Sequence, residues 1–244
     1  AGWEGPEAAE AHGRLVRDSG CDLGFIMDRN AERLALIDEA GRFVSEPELL
    51  ALTCTAAVTL RPGEPFVVPA MAPESVERLA ERLGGRVLRA STGPRSMLHR
   101  AIECHVGAGA RRVHHLHPVV DGLFALALVV HYLAASGVTL SGAVAELPEV
   151  HTAAHIVDCP WTAKGRVMRS LIEQTRGSDV QLIDGIRVSS RTGQALILPD
   201  SDKPIFQVYA EAFSQEAAEE IASFYAGVIK SAVTDSVSGF STPE

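Results

Sequence analysis

The stretch LGFIMDRNAERLALID, residues 23–38, places a short polar loop between two apolar runs and predicts a β-hairpin. Within the loop, oxygen-bearing side chains alternate at Asp28, Asn30 and Glu32. Residues two apart in an extended chain point to the same side, and converging hard oxygens suit Mg²⁺ or Ca²⁺. Taken alone, however, the loop favours a plain polar turn over a metal site.

Length, composition and charge limit the class of protein. The chain has 244 residues, 46% hydrophobic and 22% charged, as expected for one large or two ordinary globular domains. A net charge of −9 argues against nucleic acid or an anionic membrane as the main partner. The four cysteines are widely spaced, which is typical of a cytosolic protein; they are Cys21, Cys54, Cys104 and Cys159. The apolar run 123–133 is too short to cross a bilayer, and no signal peptide is visible, so we expect a cytoplasmic location.

In the first part of the chain, predicted strands and helices alternate. The prediction comprises helix 7–18, strands 22–27 and 34–38, helix 46–60, strand 66–69, helix 73–83, strand 86–89, and helices 95–104 and 123–136. Such alternation favours a mostly parallel sheet covered by helices on both faces. The last of these helices is apolar nearly all round, so we expect it to lie deep in the domain.

Composition changes near 147–149, which we interpret as a linker. Beyond it the sequence predicts a strand at 152–157, a helix at 163–176, strands at 186–190, 194–198 and 205–210, and a helix at 215–231. This order favours a smaller α+β domain with an antiparallel sheet. The tail 236–244 contains mainly Ser, Thr, Gly and other polar residues, and we predict that it is disordered.

One histidine-rich run offers a rival site. His115 and His117 would share a strand face within RRVHHLH, residues 111–117. Zinc requires about four ligands, and the nearest additional candidates are Cys104 and His105. Surface histidines that gain charge at mildly acidic pH are the simpler interpretation.

The hairpin segment resembles the metal-binding segment of the α-D-phosphohexomutases, the family of phosphomannomutase and phosphoglucomutase. The family loop reads Asp-Gly-Asp-Gly-Asp-Arg, which Asp28 and Arg33 match. Asn30 and Glu32 stand where the second and third aspartates belong, and both glycines are replaced. The resemblance implies a possible Mg²⁺ site made by Asp28, Glu32 and the side-chain carbonyl of Asn30. It also implies that Arg33 orients a phosphate or a loop carboxylate.

The resemblance extends over almost the whole chain. It is carried further by Leu83-Gly84-Gly85-Arg86-Val87, by Asp121-Gly122 before the apolar helix, and by Asp184-Gly185-Ile186-Arg187-Val188. Residues 1–45 would be the end of the family's second domain, residues 46–148 the third domain and residues 149–235 the fourth. The implied fold is a three-layer α/β/α domain followed by a smaller α+β domain.

The ligand-contacting motifs of the family are altered. No segment matches the Ser-His-Asn-Pro sequence that carries the phosphoryl group, so we predict no catalytic nucleophile in this chain. The sugar-recognition loop, Gly-Glu-x-Ser-Gly-His in the family, would fall near 106–110, where those side chains are absent. Arg95 could replace a basic residue that the family places before a helix, or it could be a solvated arginine.

The phosphate clamp of the family, Arg-Pro-Ser-Gly-Thr-Glu-Pro, corresponds to LPDSDKP, residues 198–204. Both prolines remain, but Asp200 and Asp202 would repel a phosphate, with only Ser201 and Lys203 in compensation. Framework positions are thus retained while ligand-contacting positions are lost.

These observations predict a non-catalytic phosphohexomutase-like module, the carboxy-terminal part of a longer polypeptide, with a role in assembly or regulation. Its expected partners are upstream domains, a hexose phosphate or a second copy of the chain. By analogy with the superfamily, a sugar-1-phosphate nucleotidyltransferase could precede it, in nucleotide-sugar synthesis. The alternative is the carboxy-terminal half of an active mutase that interconverts hexose 1- and 6-phosphates.

Overall fold

The structure of the protein is a computed structural model that describes residues 6–91, 93–106, 117–175, 179–182 and 184–238. The chain divides into two compact units, Ala1–Pro148 and Glu149–Glu244. The correspondence of 1–45, 46–148 and 149–235 to three family domains stays a prediction.

The first unit contains helices and two small sheets in the predicted order. Its elements are α1 (Pro6–Asp18), β1 (Leu23–Met27), β2 (Leu34–Asp38), α2 (Glu46–Leu60), β3 (Pro65–Pro69), α3 (Glu74–Arg82), β4 (Arg86–Ala90), α4 (Pro94–Val106), α5 (Gly122–Ser136) and α6 (Leu140–Ala145). The short helix α6 was not predicted; Thr139 caps its first turn by accepting a hydrogen bond from Gly142 N–H.

The predicted hairpin is confirmed. Strand β1 pairs antiparallel with β2, with Phe25 opposite Leu36. Helix α1 packs on the hairpin at Gly24, where an added Cβ would lie 2.3 Å from Val16 Cγ2, so only glycine permits this close approach. Leu36 is fully buried among residues of α2, α5 and α6, which cover the other side of the hairpin.

Over the described residues, the mostly parallel sheet that we predicted is present as one parallel pair, β3 and β4, connected through α3. The strand β3 is buried on both faces, because Phe66 and Val68 pack among residues of α2 and α3 while Val67 packs against Met97 and Ala101 of α4. Helices on both faces give the three-layer α/β/α arrangement that the sequence predicted.

The prediction that α5 lies deep in the domain is wrong. Gly122, Ala125, Leu128 and Val129 are buried, but Leu123 is 61% exposed and Val130 is 44% exposed. The described part of the first unit covers only one side of this apolar helix.

The second unit is the predicted α+β domain. It contains β5 (His151–Asp158), α7 (Trp161–Gln174), β6 (Asp179–Gln181), β7 (Ile186–Ser189), β8 (Gly193–Pro199), β9 (Ile205–Ala212) and α8 (Gln215–Ser238). The strands form an antiparallel sheet in the order β5-β9-β8-β7-β6, with α7 and α8 contributing to one apolar core. Strand β6 was not predicted. Helix α8 continues to Ser238, so residues 236–238 are helical and do not belong to a disordered tail.

Candidate functional site

The hairpin loop 28–33 is a turn that its first residue closes. Asp28 Oδ1 accepts hydrogen bonds from the backbone N–H groups of Glu32 (2.8 Å) and Arg33 (3.1 Å). The carbonyl oxygen of Asp28 also accepts a hydrogen bond from Ala31 N–H at 3.1 Å. An aspartate that binds its own backbone in this way is a standard stabiliser of tight turns.

The same loop rests on the first turn of α5. Gly122 N–H donates a hydrogen bond of 2.7 Å to the carbonyl oxygen of Ala31. A Cβ at Gly122 would lie 2.9 Å from the Arg33 carbonyl oxygen and 3.0 Å from that of Ala31. Asp121 caps the helix by accepting the N–H of Phe124 at 2.8 Å. The Asp-Gly pair therefore serves both to start the helix and to seat the loop.

The observed turn differs from the extended geometry on which the magnesium prediction depends. The alternating side chains were expected to converge on one side of an extended segment, but the segment is not extended, because Ala31 adopts a left-handed conformation with φ of 56°. Asn30 and Glu32 are exposed, and one oxygen of Asp28 is engaged by two N–H groups. Over the described ranges, no group of three or more His, Cys, Asp and Glu side chains could hold a metal ion. Magnesium binding by Asp28, Asn30 and Glu32 stays a prediction.

Both predicted arginines of the first unit are exposed. Arg33 lies at the end of the hairpin loop, and Arg95 lies in the first turn of α4, which follows the carboxyl end of β4. A cation in the first turn opposes the helix dipole, so Arg95 does not stabilise α4. The predicted sugar loop, apart from Val106 at the end of α4, lies outside the described residues.

The loop that follows β8 is closed by Asp200. Asp200 Oδ1 accepts hydrogen bonds of 2.9 Å from the backbone N–H groups of both Asp202 and Lys203. The second oxygen, Oδ2, accepts a hydrogen bond of 2.8 Å from Gln207 Nε2, and Gln207 in turn accepts the hydroxyl of Tyr209. The carboxylate thus occupies the loop N–H groups that a bound anion would require.

The electrostatics of this loop agree with its geometry. The N–H of Asp202 holds the pKa of Asp200 below its ordinary value, against a smaller effect of desolvation, and Gln207 and the N–H of Lys203 act in the same direction. Ser201 and Lys203 have exposed side chains. The Asp200 carboxylate is therefore charged at neutral pH and would repel a second anion in the same loop.

The residue that holds this loop in place was not predicted from the sequence. Lys164, on α7, donates its ammonium hydrogens to the carbonyl oxygens of Asp200 and Lys203, the second at 2.6 Å. The same ammonium lies 3.9 Å from the ring centroid of Trp161. The only sequence signal is a lysine three residues after a tryptophan, which does not specify a contact with a loop 36 residues away.

A buried cation in the first unit was also missed. Arg89, at the end of β4, donates to Glu77 Oε1 (2.8 Å) and to the carbonyl oxygens of Ala70 (3.0 Å) and Ala72 (2.7 Å). Its side chain is 10% exposed. These hydrogen bonds hold the loop between β3 and α3, and the carboxylate of Glu77 neutralises the charge of Arg89.

The histidine-rich run is only partly within the described residues. His117 is buried, its ring lies 5.4 Å from that of Phe66, and its Nδ1 accepts the N–H of Val119 at 3.3 Å. This His117 packs as a core histidine. His105, His114 and His115 are outside the described residues or without described side chains, so the remote metal hypothesis stays a prediction.

Known proteins similar to this chain include sugar-phosphate mutases. No protein-family model matches the chain. A probable phosphoglucosamine mutase of Methanopyrus kandleri is 27% identical over 246 aligned positions, which cover 94% of this chain and 52% of the relative. A phosphopentomutase of Thermococcus kodakarensis is 29% identical over 218 positions, with 86% and 48% covered.

Solved structures show the same fold. A phosphoglucomutase/phosphomannomutase family protein of Burkholderia thailandensis superposes with a TM-score of 0.72 at 20% identity, over 93% of this chain and 50% of that one. The N-acetylphosphoglucosamine mutase of Aspergillus fumigatus, solved with GlcNAc-6P and magnesium, gives a TM-score of 0.58 at 15% identity, over 86% and 48%.

The chain therefore spans about half the length of the curated relatives it matches. Its predicted resemblance is confirmed, since sequence and structural homologues alike are hexose- and pentose-phosphate mutases. This chain is similar in sequence and in fold to the α-D-phosphohexomutases, over about half of their length.

Proposed function

We propose that the chain is a phosphohexomutase-like module without mutase activity of its own. It serves assembly or regulation in cytoplasmic sugar-phosphate or nucleotide-sugar metabolism, as the carboxy-terminal part of a longer polypeptide. The observation that carries this proposal is the Asp200 carboxylate, which takes the N–H groups of Asp202 and Lys203 for itself.

The first unit gives independent support. One carboxylate oxygen of Asp28 accepts hydrogen bonds within its own turn. The glycine positions of the family loop are occupied by Arg29 and Ala31. Both loops that would contact ligand are therefore stabilised by their own aspartates. A loop that satisfies its donors internally gains little from an added anion and must break hydrogen bonds to bind it.

Titration calorimetry tests the proposal. Glucose 1-phosphate and mannose 1-phosphate, each with Mg²⁺, should give no saturable heat with the chain up to millimolar ligand. Micromolar binding that is lost in Arg95→Ala but retained in Arg100→Ala would overturn it, because both arginines are exposed on α4 and only Arg95 lies in its first turn.

A second candidate is the carboxy-terminal half of an active hexose-phosphate mutase, fused to a phosphoserine domain and even to a sugar-1-phosphate nucleotidyltransferase. Two observations favour it: the similar proteins are mutases, and Arg95 lies at a helix start, where a cation opposes the helix dipole. Conversion of glucose 1-phosphate to glucose 6-phosphate by the complete polypeptide, abolished by Arg33→Ala, would establish this alternative.

A further inference from the structure

Helix α5 exposes an apolar stripe. Leu123, Ala127, Val130 and Ala134 are exposed and recur at intervals of four, three and four residues, which places them on one side of the helix. The two largest are 61% (Leu123) and 44% (Val130) exposed. The helix carries no Asp, Glu, Lys or Arg side chain. Its one histidine, His131, is exposed beside the stripe. A helix that is apolar nearly all round is normally covered on most sides.

The stripe belongs to the first unit, in which the β1–β2 hairpin also has few neighbouring elements. In the described part of the chain, β1 pairs only with β2, and Phe25 of β1 is 54% exposed. A two-stranded hairpin is marginal in water unless further strands or helices support it, and an unpaired edge is a template for another strand. The stripe adjoins this hairpin, since Gly122, directly before Leu123, bonds to Ala31 in the hairpin loop.

The lengths of the relatives indicate what covers these features. The chain covers 52% of the Methanopyrus kandleri relative, 48% of the Thermococcus kodakarensis phosphopentomutase and 50% of the Burkholderia thailandensis structure. We infer that the α5 stripe docks the polypeptide that corresponds to the other half of these relatives. The stripe lacks charge, so the facing surface of that polypeptide is apolar.

This inference rests on the proposed place of the chain in a longer polypeptide, but not on the proposed loss of activity. The docked half completes the first unit whether or not the loops bind a sugar phosphate. Because the stripe begins beside loop 28–33, docking also covers the α5 end on which that loop rests. A second copy of this chain, or no occupant at all, are the competing outcomes.

The experiment compares residues 1–244 with the complete polypeptide encoded together with its upstream region. Amide hydrogen exchange of 122–136 should be at least tenfold slower in the complete polypeptide. The upstream half, expressed separately, should bind 1–244, and the double variant Leu123→Glu/Val130→Glu should weaken that binding at least tenfold. Phe224→Glu is the matched control, since Phe224 is 62% exposed on a helix of the second unit.

Folding is checked on 1–244 alone, where both altered side chains are exposed and the melting temperature should change little. The inference is overturned if the coding sequence holds no such half. It is also overturned if exchange at 122–136 is equal in both proteins, or if the double variant binds the upstream half as tightly as the unaltered chain. A dimer of 1–244 that the double variant dissociates would assign the stripe to a second copy instead.

Discussion

The amide hydrogen of Gly122 and the carbonyl oxygen of Ala31 form a hydrogen bond of 2.7 Å that joins the hairpin loop to the start of α5. The two residues are far apart in sequence, and each has a property that the contact requires. Gly122 has no Cβ to strike the loop, and Ala31 adopts a φ of 56° that turns its carbonyl toward the helix. This contact makes the conformation of the loop depend on the helix beneath it.

A side chain at Gly122 should be destabilising. In Gly122→Ala the new Cβ lies 2.9 Å from a backbone oxygen that cannot move without opening the turn, so we expect a loss of about 1–3 kcal/mol. Urea unfolding measures the change. Gly165→Ala on α7 is the control, because nothing lies within 4 Å of its Cβ position, and it should stabilise by about 0.5–1 kcal/mol. Equal effects of the two substitutions would contradict the contact.

Relief of the left-handed backbone at Ala31 should be stabilising. The left-handed conformation costs an alanine about 1–2 kcal/mol, and a glycine at this position avoids that cost. Roughly half of this advantage is lost, because glycine has more backbone freedom in the unfolded chain. Ala31→Gly should therefore raise the free energy of unfolding by up to about 1 kcal/mol. Ala11→Gly, at an exposed position of α1, should lower it by about 1 kcal/mol. A loss at both positions would show that Ala31 is not left-handed.

Acid should weaken the loop that Asp200 closes. The pKa of Asp200 is lowered in the folded chain, so its contribution is complete above the ordinary pKa of the group and is lost as pH falls through the folded value. The stability difference between the unaltered chain and Asp200→Asn should therefore shrink between about pH 5 and pH 2.

Trp161 can report this transition, because it lies beside Lys164 and the chain has one other tryptophan, Trp3, which a Trp3→Phe background removes. Asp202→Asn is the control, since Asp202 is exposed and contributes its backbone N–H to Asp200. If Asp202→Asn alters the acid dependence as much as Asp200→Asn does, Asp200 is not the carboxylate that closes the loop.

Removal of the Lys164 ammonium should loosen the 199–204 loop. Lys164→Met keeps the aliphatic stem against Trp161 but loses two charge-assisted hydrogen bonds, so we expect a loss of roughly 1–3 kcal/mol. Amide exchange at Asp202 and Lys203 should become faster. Lys230→Met, an exposed position on α8, should change neither quantity; unaltered exchange in Lys164→Met would show that the loop does not need this lysine.

The cysteines should differ sharply in reactivity. Burial raises the pKa of Cys54 to about 12, whereas Cys21 is exposed. Because the thiolate is the reactive form, iodoacetamide at pH 8 should modify Cys21 at least a hundredfold faster than Cys54 in the folded chain. Peptide mass spectrometry follows both sites, and the difference should disappear in urea. Comparable rates before unfolding would contradict the burial of Cys54.

The local order of the fold follows from short-range chemistry. The capping box of Ser45 and Glu48 starts α2 where the sequence predicts it, and the apolar runs of the hairpin become β1 and β2. Alternating strands and helices predicted the three-layer unit, and the run of strands predicted the antiparallel sheet of the second unit. The short elements α6 and β6 were missed because six- and three-residue elements have too little periodicity to detect.

The candidate site could be read only as a set of residue types. The sequence shows that Asp28 and Asp200 stand in loops that resemble ligand loops, but an aspartate can bind an ion, repel one or close a turn. In the structure both aspartates close their own turns, since each carboxylate receives two backbone N–H groups.

By itself, the sequence determined the order of helices and strands, the division into a three-layer unit and an antiparallel unit, and the similarity to phosphohexomutases. Tertiary structure alone decided which donors Asp28 and Asp200 satisfy, that Lys164 holds the second loop, and that Leu123 and Val130 of α5 are exposed. The physical reason is the separation in sequence between the residues that interact. Helix and strand periodicity depend on neighbours a few residues away, whereas the partner of a carboxylate and the cover of a helix depend on segments that only folding brings together.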